Sequence, residues 1–312
     1  MDTDRLLPVV FVFSVVVVSG CTGGIGNTSQ ESNVYKGISS VGSNALNNSS
    51  VNQESHMGCQ PGAINKSGMC KVTVSDNNAD VFAAEELKSI RGQNTSLNGT
   101  PGYYARPDDS KEYPSVIMIH EWWGLNQNIR DMADILAGKG YSVFAVDLYD
   151  GEVARNSSRA LTLSNEVREN PGEAVSKMQS AVHGMRNKDT TTDKIASLGW
   201  CFGGGQSLQL SLSNTSMDGT VIYYGTLTDN KTELSNIEEP VLGIFGTEDQ
   251  VVGQKSIRQF NSSLDELGVS KQIEMYEGAS HAFANPSGES YMPNATKDAW
   301  NETLEFLEAN LK

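Results

Sequence analysis

From about Lys71 onward, short apolar runs of strand character alternate with longer stretches of helical spacing, and this alternation constrains the fold more than any other feature. Residues 115–120, 141–146, 194–198, 219–224, 241–245 and 272–276 read as strands. Residues 128–139, 160–186 with a break around Pro171, 204–212, 256–267 and 296–311 read as helices, the first of them ended by Gly140. Strands that are apolar almost throughout are covered on both faces. The expected class is therefore α/β, with a mostly parallel central sheet flanked by helices on both faces. Ligands in such sheets sit beyond the carboxyl ends of the strands, so the residues that follow each strand carry the functional information.

The first 20 residues read as a signal peptide: Arg5, an apolar run from Leu6 to Val18, then Ser19-Gly20-Cys21. The run is short for a membrane span. Val18-Ser19-Gly20-Cys21 looks like a lipobox, which makes Cys21 the expected lipidation site of a mature lipoprotein, with an ordinary signal peptide or an uncleaved anchor as the alternatives. Residues 21–70 are rich in Ser, Asn and Gly and bury too little apolar surface to offset ordering, so they read as a disordered tether; residues 71–312 form the α/β domain. The expected localisation is secreted or cell-surface, with membrane attachment through Cys21.

Export changes how the other cysteines read. Cys59 and Cys70 form a plausible disulfide in an oxidising space, leaving Cys201 as the odd thiol of four. Asn-x-Ser/Thr tripeptides recur, at Asn94, Asn156 and Asn214 among others; they suit a glycosylated surface and also arise by chance in an Asn/Ser-rich chain. A formal net charge of -15 argues against nucleic acid or anionic lipid as partners. The partner left is a small molecule.

Three strand ends carry reactive groups in a defined order. The run 194–198 is followed by Gly199-Trp200-Cys201-Phe202-Gly203-Gly204, a nucleophile elbow with sulfur in place of a hydroxyl. Small flanking residues let a strand turn sharply into a helix, so that Cys201 stands at the top of the sheet and the Phe202 N–H faces a developing oxyanion. A buried structural cysteine before a glycine-rich turn is the alternative. After the strand ending at Phe245, Asp249 supplies a candidate acid, with Glu248 as its competitor. After the strand ending at Tyr276 comes His281, a candidate base; His56 lies in the tether and His183 on a helix surface. Nucleophile, acid, histidine is the chain order of α/β-hydrolases. An imidazole oriented by a carboxylate can draw the thiol proton.

A fourth element, His120-Glu121-Trp122-Trp123-Gly124-Leu125-Asn126, follows the strand 115–119. Its expected contributions are a second oxyanion donor from the Trp122 N–H, a carboxylate (Glu121) close to the thiol, and at least one pocket-facing indole from Trp122 and Trp123. A zinc reading of His120-Glu121 fails because Gly124 stands where a second histidine is needed, so neither metal nor cofactor is expected.

These segments, with Gly102-Tyr103-Tyr104-Ala105-Arg106-Pro107, Val146-Asp147-Leu148-Tyr149 and Ser280-His281-Ala282-Phe283, resemble the dienelactone hydrolase family over about residues 75–312. The resemblance implies a Cys-Asp-His triad at Cys201, Asp249 and His281, an acidic residue at Glu121 that governs thiol ionisation, and hydrolysis of esters or lactones. One departure matters: Asn285 stands where the family places an arginine that grips a substrate carboxylate. A second family arginine has no firm counterpart, Arg155 and Arg159 being the nearby choices. Losing a charge-assisted contact argues against an anionic lactone and leaves a general carboxylesterase on neutral acyl esters as the alternative. The rival from another class is a surface binding lipoprotein that keeps the fold without turnover.

Overall fold

The computed structural model describes residues 89–312. The signal segment, Cys21, the tether and the Cys59–Cys70 pairing lie outside the described residues.

Strands β1 (Ile90–Leu97) and β2 (Thr100–Pro107) form an antiparallel hairpin. Its two-residue turn is Asn98-Gly99, both at positive φ (47° and 86°), the combination that matches the twist of paired strands. The remaining elements are β3 (Tyr113–Ile119), α1 (Gln127–Gly138), β4 (Ser142–Val146), α2 (Ser157–Glu169), α3 (Pro171–Arg186), β5 (Thr191–Trp200) and α4 (Phe202–Ser211). They are followed by β6 (Gly219–Tyr223), α5 (Lys231–Leu234), β7 (Val241–Gly246), α6 (Gln254–Leu267), β8 (Lys271–Tyr276) and α7 (Pro293–Leu311). The helical stretch expected at 160–186 is two helices, because Pro171 begins α3 at the position where a missing N–H costs nothing.

Among the described residues, eight strands form one sheet in the order β1-β2-β4-β3-β5-β6-β7-β8. Every pair from β4 to β8 is parallel, and the β1–β2 hairpin joins β4 antiparallel, so the sheet is mixed but mostly parallel. Alternate residues of each strand serve opposite faces. Val116, Met118, Leu198, Val221 and Ile244 pack with Ile129 and Leu136 of α1 and with Trp300 and Leu307 of α7. On the other face, Ile117, Ile119 and Ile195 meet Met178 and Val182 of α3, while Ile222, Val241 and Phe245 meet Leu208 of α4 and Phe260 of α6. This is the α/β layering expected from the alternation, and it agrees with the α/β-hydrolase fold that the resemblance implies. Chain direction across the sheet reverses around β3, which opens the crevice where the site is built.

Candidate active site

The elbow is a consequence of two glycines and one strained cysteine. Cys201 links β5 to α4 with φ 55° and ψ -115°, a conformation that costs a side-chain-bearing residue energy and holds its sulfur clear of the sheet. A Cβ on Gly199 would lie 2.1 Å from the Gly203 carbonyl oxygen, and one on Gly203 would lie 2.3 Å from the Ile119 carbonyl oxygen. Neither position accepts a side chain while α4 packs this closely on β3 and β5. The Cys201 N–H donates to the Tyr223 carbonyl (3.0 Å), fixing the turn to β6. Phe202, the first residue of α4, has an N–H without an intrahelical acceptor, at the positive end of the helix dipole.

Three loops converge on that sulfur. His281 Nε2 lies 3.1 Å from Cys201 Sγ, and His281 Nδ1 lies 2.9 Å from Asp249 Oδ2. Asp249 Oδ1 accepts the N–H groups of Val251 (2.7 Å) and Val252 (2.9 Å). Of the two competing carboxylates, Asp249 is buried against the imidazole and Glu248 is exposed. Burial opposes charge on both partners but loses. The imidazole bond and the Val252 and Val251 N–H groups hold Asp249 below the usual carboxylate range. Burial likewise disfavours the imidazolium, but bonds to Asp249 and Cys201 outweigh it and push His281 up to about 10.

Glu121 follows β3 and is buried. Burial raises its carboxyl to about 7, while the His281 charge and the Asn285 amide pull the other way. Asn285 Nδ2 donates to Glu121 Oε2 at 2.6 Å, so these two residues, 164 apart in sequence, form one unit. His120 anchors the loop: its Nδ1 lies 2.6 Å from the Glu121 carbonyl oxygen, and its Nε2 accepts the Leu148 N–H at 3.2 Å. Acceptance at Nε2 requires the neutral ring with its proton on Nδ1, and burial lowers its pKa accordingly. The Gly124 N–H closes a turn on the Glu121 carbonyl at 3.1 Å, and the Trp122 carbonyl accepts Tyr149 Oη at 3.2 Å. Trp122 and Trp123 are half-buried, with ring centroids 5.0 Å apart, and pack beside the α2 and α3 side of the core.

Two residues beside the elbow and the imidazole were not legible in the sequence. Arg168 of α2 places its guanidinium 5.6 Å from the Phe202 ring centroid, whereas Arg159 is paired with Glu152. Tyr224, after β6, lies edge-on to His281 with centroids 5.2 Å apart. An Arg late in a polar helix and the second tyrosine of Tyr223-Tyr224 carry no local signal of such a place. The arrangement as a whole can deprotonate a thiol, direct it at a carbonyl and collect the resulting negative charge.

Several relatives match over most of their own length. Protein usf of Aquifex pyrophilus is 31% identical over 67% of this chain and 93% of its own. A Saccharolobus solfataricus protein with the provisional name carboxymethylenebutenolidase is 28% identical over 66% of this chain and 92% of its own. Among solved structures, m3DLH superposes with a TM-score of 0.67 at 22% identity, covering 72% of this chain and 99% of that one; it speaks to the fold. The dienelactone hydrolase family model matches residues 100–311, and the chain belongs to that family.

Proposed function

We propose that the chain is a cysteine-dependent carboxylic ester hydrolase acting on small esters or lactones, with Cys201 as nucleophile, His281 as general base and acid, and Asp249 orienting the imidazole. The observation that carries this reading is the continuous line Cys201 Sγ, His281, Asp249, with contacts of 3.1 and 2.9 Å. His281 Nε2 already holds the thiol proton before substrate arrives, and the Cys201 thiolate attacks the carbonyl carbon. The carbonyl π pair moves to oxygen, where the Phe202 and Trp122 N–H groups receive it. Collapse breaks the ester C–O bond, the leaving alkoxide takes the proton from His281, and a thioester remains. His281 then deprotonates water, which attacks the thioester, and the thiolate departs with release of the acid. Glu121 adjusts the charge near the sulfur, with Asn285 fixing its orientation and Trp123 walling the entrance.

Asn285 in place of a cation favours a second, narrower reading: a carboxylesterase for uncharged acyl groups. The amino-terminal segment supports the further proposal that this chemistry takes place outside the cell, with the chain tethered through lipidated Cys21. Hydrolysis of p-nitrophenyl acetate and cis-dienelactone by native protein, Cys201→Ala and Asn285→Arg tests both levels. The expected result is turnover of the acetate, its loss in Cys201→Ala, and a shift toward the anionic lactone in Asn285→Arg. No turnover of either compound by native protein sinks the enzyme reading in favour of a binding protein.

A further inference from the structure

In the proposed mechanism the oxyanion falls to two peptide N–H groups, those of Phe202 and Trp122. The Trp122 N–H is one end of a planar trans peptide whose other end is the Glu121 carbonyl, and in such a unit the two bonds point in opposite directions. Whatever fixes the Glu121 carbonyl therefore aims the Trp122 N–H. Two groups lie against that oxygen: His120 Nδ1 at 2.6 Å and the Gly124 N–H at 3.1 Å. The far side of the imidazole decides which way the first bond runs, because Nε2 accepts the Leu148 N–H at 3.2 Å. A backbone N–H can only donate, so Nε2 is bare and the ring's proton sits on Nδ1, facing the Glu121 carbonyl. The ring is fully buried, lies edge-on to Tyr149 at 4.6 Å between centroids, and stacks on Phe202 at 5.8 Å with 20° between the planes. Tyr149 Oη in turn donates to the Trp122 carbonyl at 3.2 Å. One imidazole thus touches the side chain of one donor residue and the peptide of the other.

We propose that His120 is a positioning residue for the oxyanion hole: its Nδ1–H holds the Glu121 carbonyl so that the Trp122 N–H faces the substrate's carbonyl oxygen beside the Phe202 N–H. The same bond polarises the peptide and strengthens the N–H at its other end. A protonated ring would set a second donor against the Leu148 N–H, so the loop is held by one protonation state and one tautomer. His120 does not reach the reacting atoms; it acts through the Glu121–Trp122 peptide. This assignment rests on the reading of Cys201 as the nucleophile that attacks a carbonyl.

The test separates a developing oxyanion from the reactivity of the sulfur. Iodoacetamide alkylates Cys201 by displacing iodide and leaves no new charge on oxygen. With 1,1,1-trifluoroacetone the thiolate adds to the carbonyl carbon and the π pair moves to oxygen, giving an adduct whose oxyanion needs both donors; fluorine NMR reads its affinity. His120→Asn keeps a donor near the Nδ1 position, whereas His120→Gln loses that donor and keeps an acceptor near Nε2. Because the Gly124 N–H remains, His120→Gln should lower ketone affinity and kcat for p-nitrophenyl acetate by about 10- to 100-fold, with KM within about threefold of native. His120→Asn should stay within about threefold of native on both measures, and alkylation at pH 6 within about twofold in both variants. Native ketone affinity in His120→Gln, equal losses in the two variants, or alkylation that falls in step with ketone affinity overturns the positioning role. In native protein, long-range proton–nitrogen NMR should find the His120 proton on Nδ1 from pH 5 to 8; a proton on Nε2 overturns the assignment without any variant. The predicted ketone pattern without ester hydrolysis would sink the hydrolase reading and leave the positioning role standing. A Cys201 that is alkylated but forms no ketone adduct in native protein overturns it.

Discussion

His281 Nδ1 meets Asp249 Oδ2 at 2.9 Å, and the other oxygen of that carboxylate is held by two backbone N–H groups. The imidazole is thereby fixed with Nε2 toward Cys201, and its protonated form is favoured to a pH of about 10. In Asp249→Asn the orientation and the charge partner are both lost. The expected outcome is a fall in kcat/KM of about 10²- to 10⁴-fold toward p-nitrophenyl acetate. NMR titration of His281 should move down from about 10 in the same variant. Because the native pKa is raised above the unfolded value, this group stabilises the fold fully below the unfolded pKa and loses that contribution as pH rises through about 10.

Glu121 gives a second pH signature, near neutrality. Its folded carboxyl titrates at about 7, above the unfolded value, so its stabilising contribution is present at acid pH and lost as pH rises through about 7. Above that pH Glu121 adds a buried negative charge to the loop that carries the proposed Trp122 donor. Glu121→Gln should flatten the decline in kcat/KM between pH 6 and 8. Its unfolding free energy from denaturant titration should exceed that of native protein by an amount on the order of a few kcal/mol at pH 8. Parallel pH profiles for the two proteins would contradict this role.

Gly203 makes a purely steric prediction. A methyl group there would lie 2.3 and 2.6 Å from the Ile119 and His120 carbonyl oxygens. Gly203→Ala must push α4 away from the end of β3, separating the Phe202 N–H from the Glu121 loop. Destabilisation of about 1–3 kcal/mol by denaturant titration is expected, together with a drop in kcat larger than the change in KM.

The central strands were legible because most are short, nearly continuous apolar runs, whereas their order in the sheet was not read, and the elbow was legible because Gly199, Cys201 and Gly203 sit at fixed spacing. The β1–β2 hairpin was not read. Its first strand is exposed and polar, so it lacks alternation, although Asn98-Gly99 carried the turn signal. Glu248 and Asp249 differ by one position in a loop; only the fold decides which of them is buried against His281. The Glu121–Asn285 unit and the place of Tyr224 beside His281 depend on loops from three strands meeting, and no local pattern encodes that meeting.

Cys201 is proposed as a thiol activated by His281, and the rate of its alkylation tests this most directly. Iodoacetamide labelling of Cys201 in native protein, followed by peptide mass between pH 5.5 and 8, should already be fast at pH 6. It should slow at least about tenfold in His281→Ala. Slow labelling that rises only toward alkaline pH, at the same rate with and without the imidazole, would contradict the account.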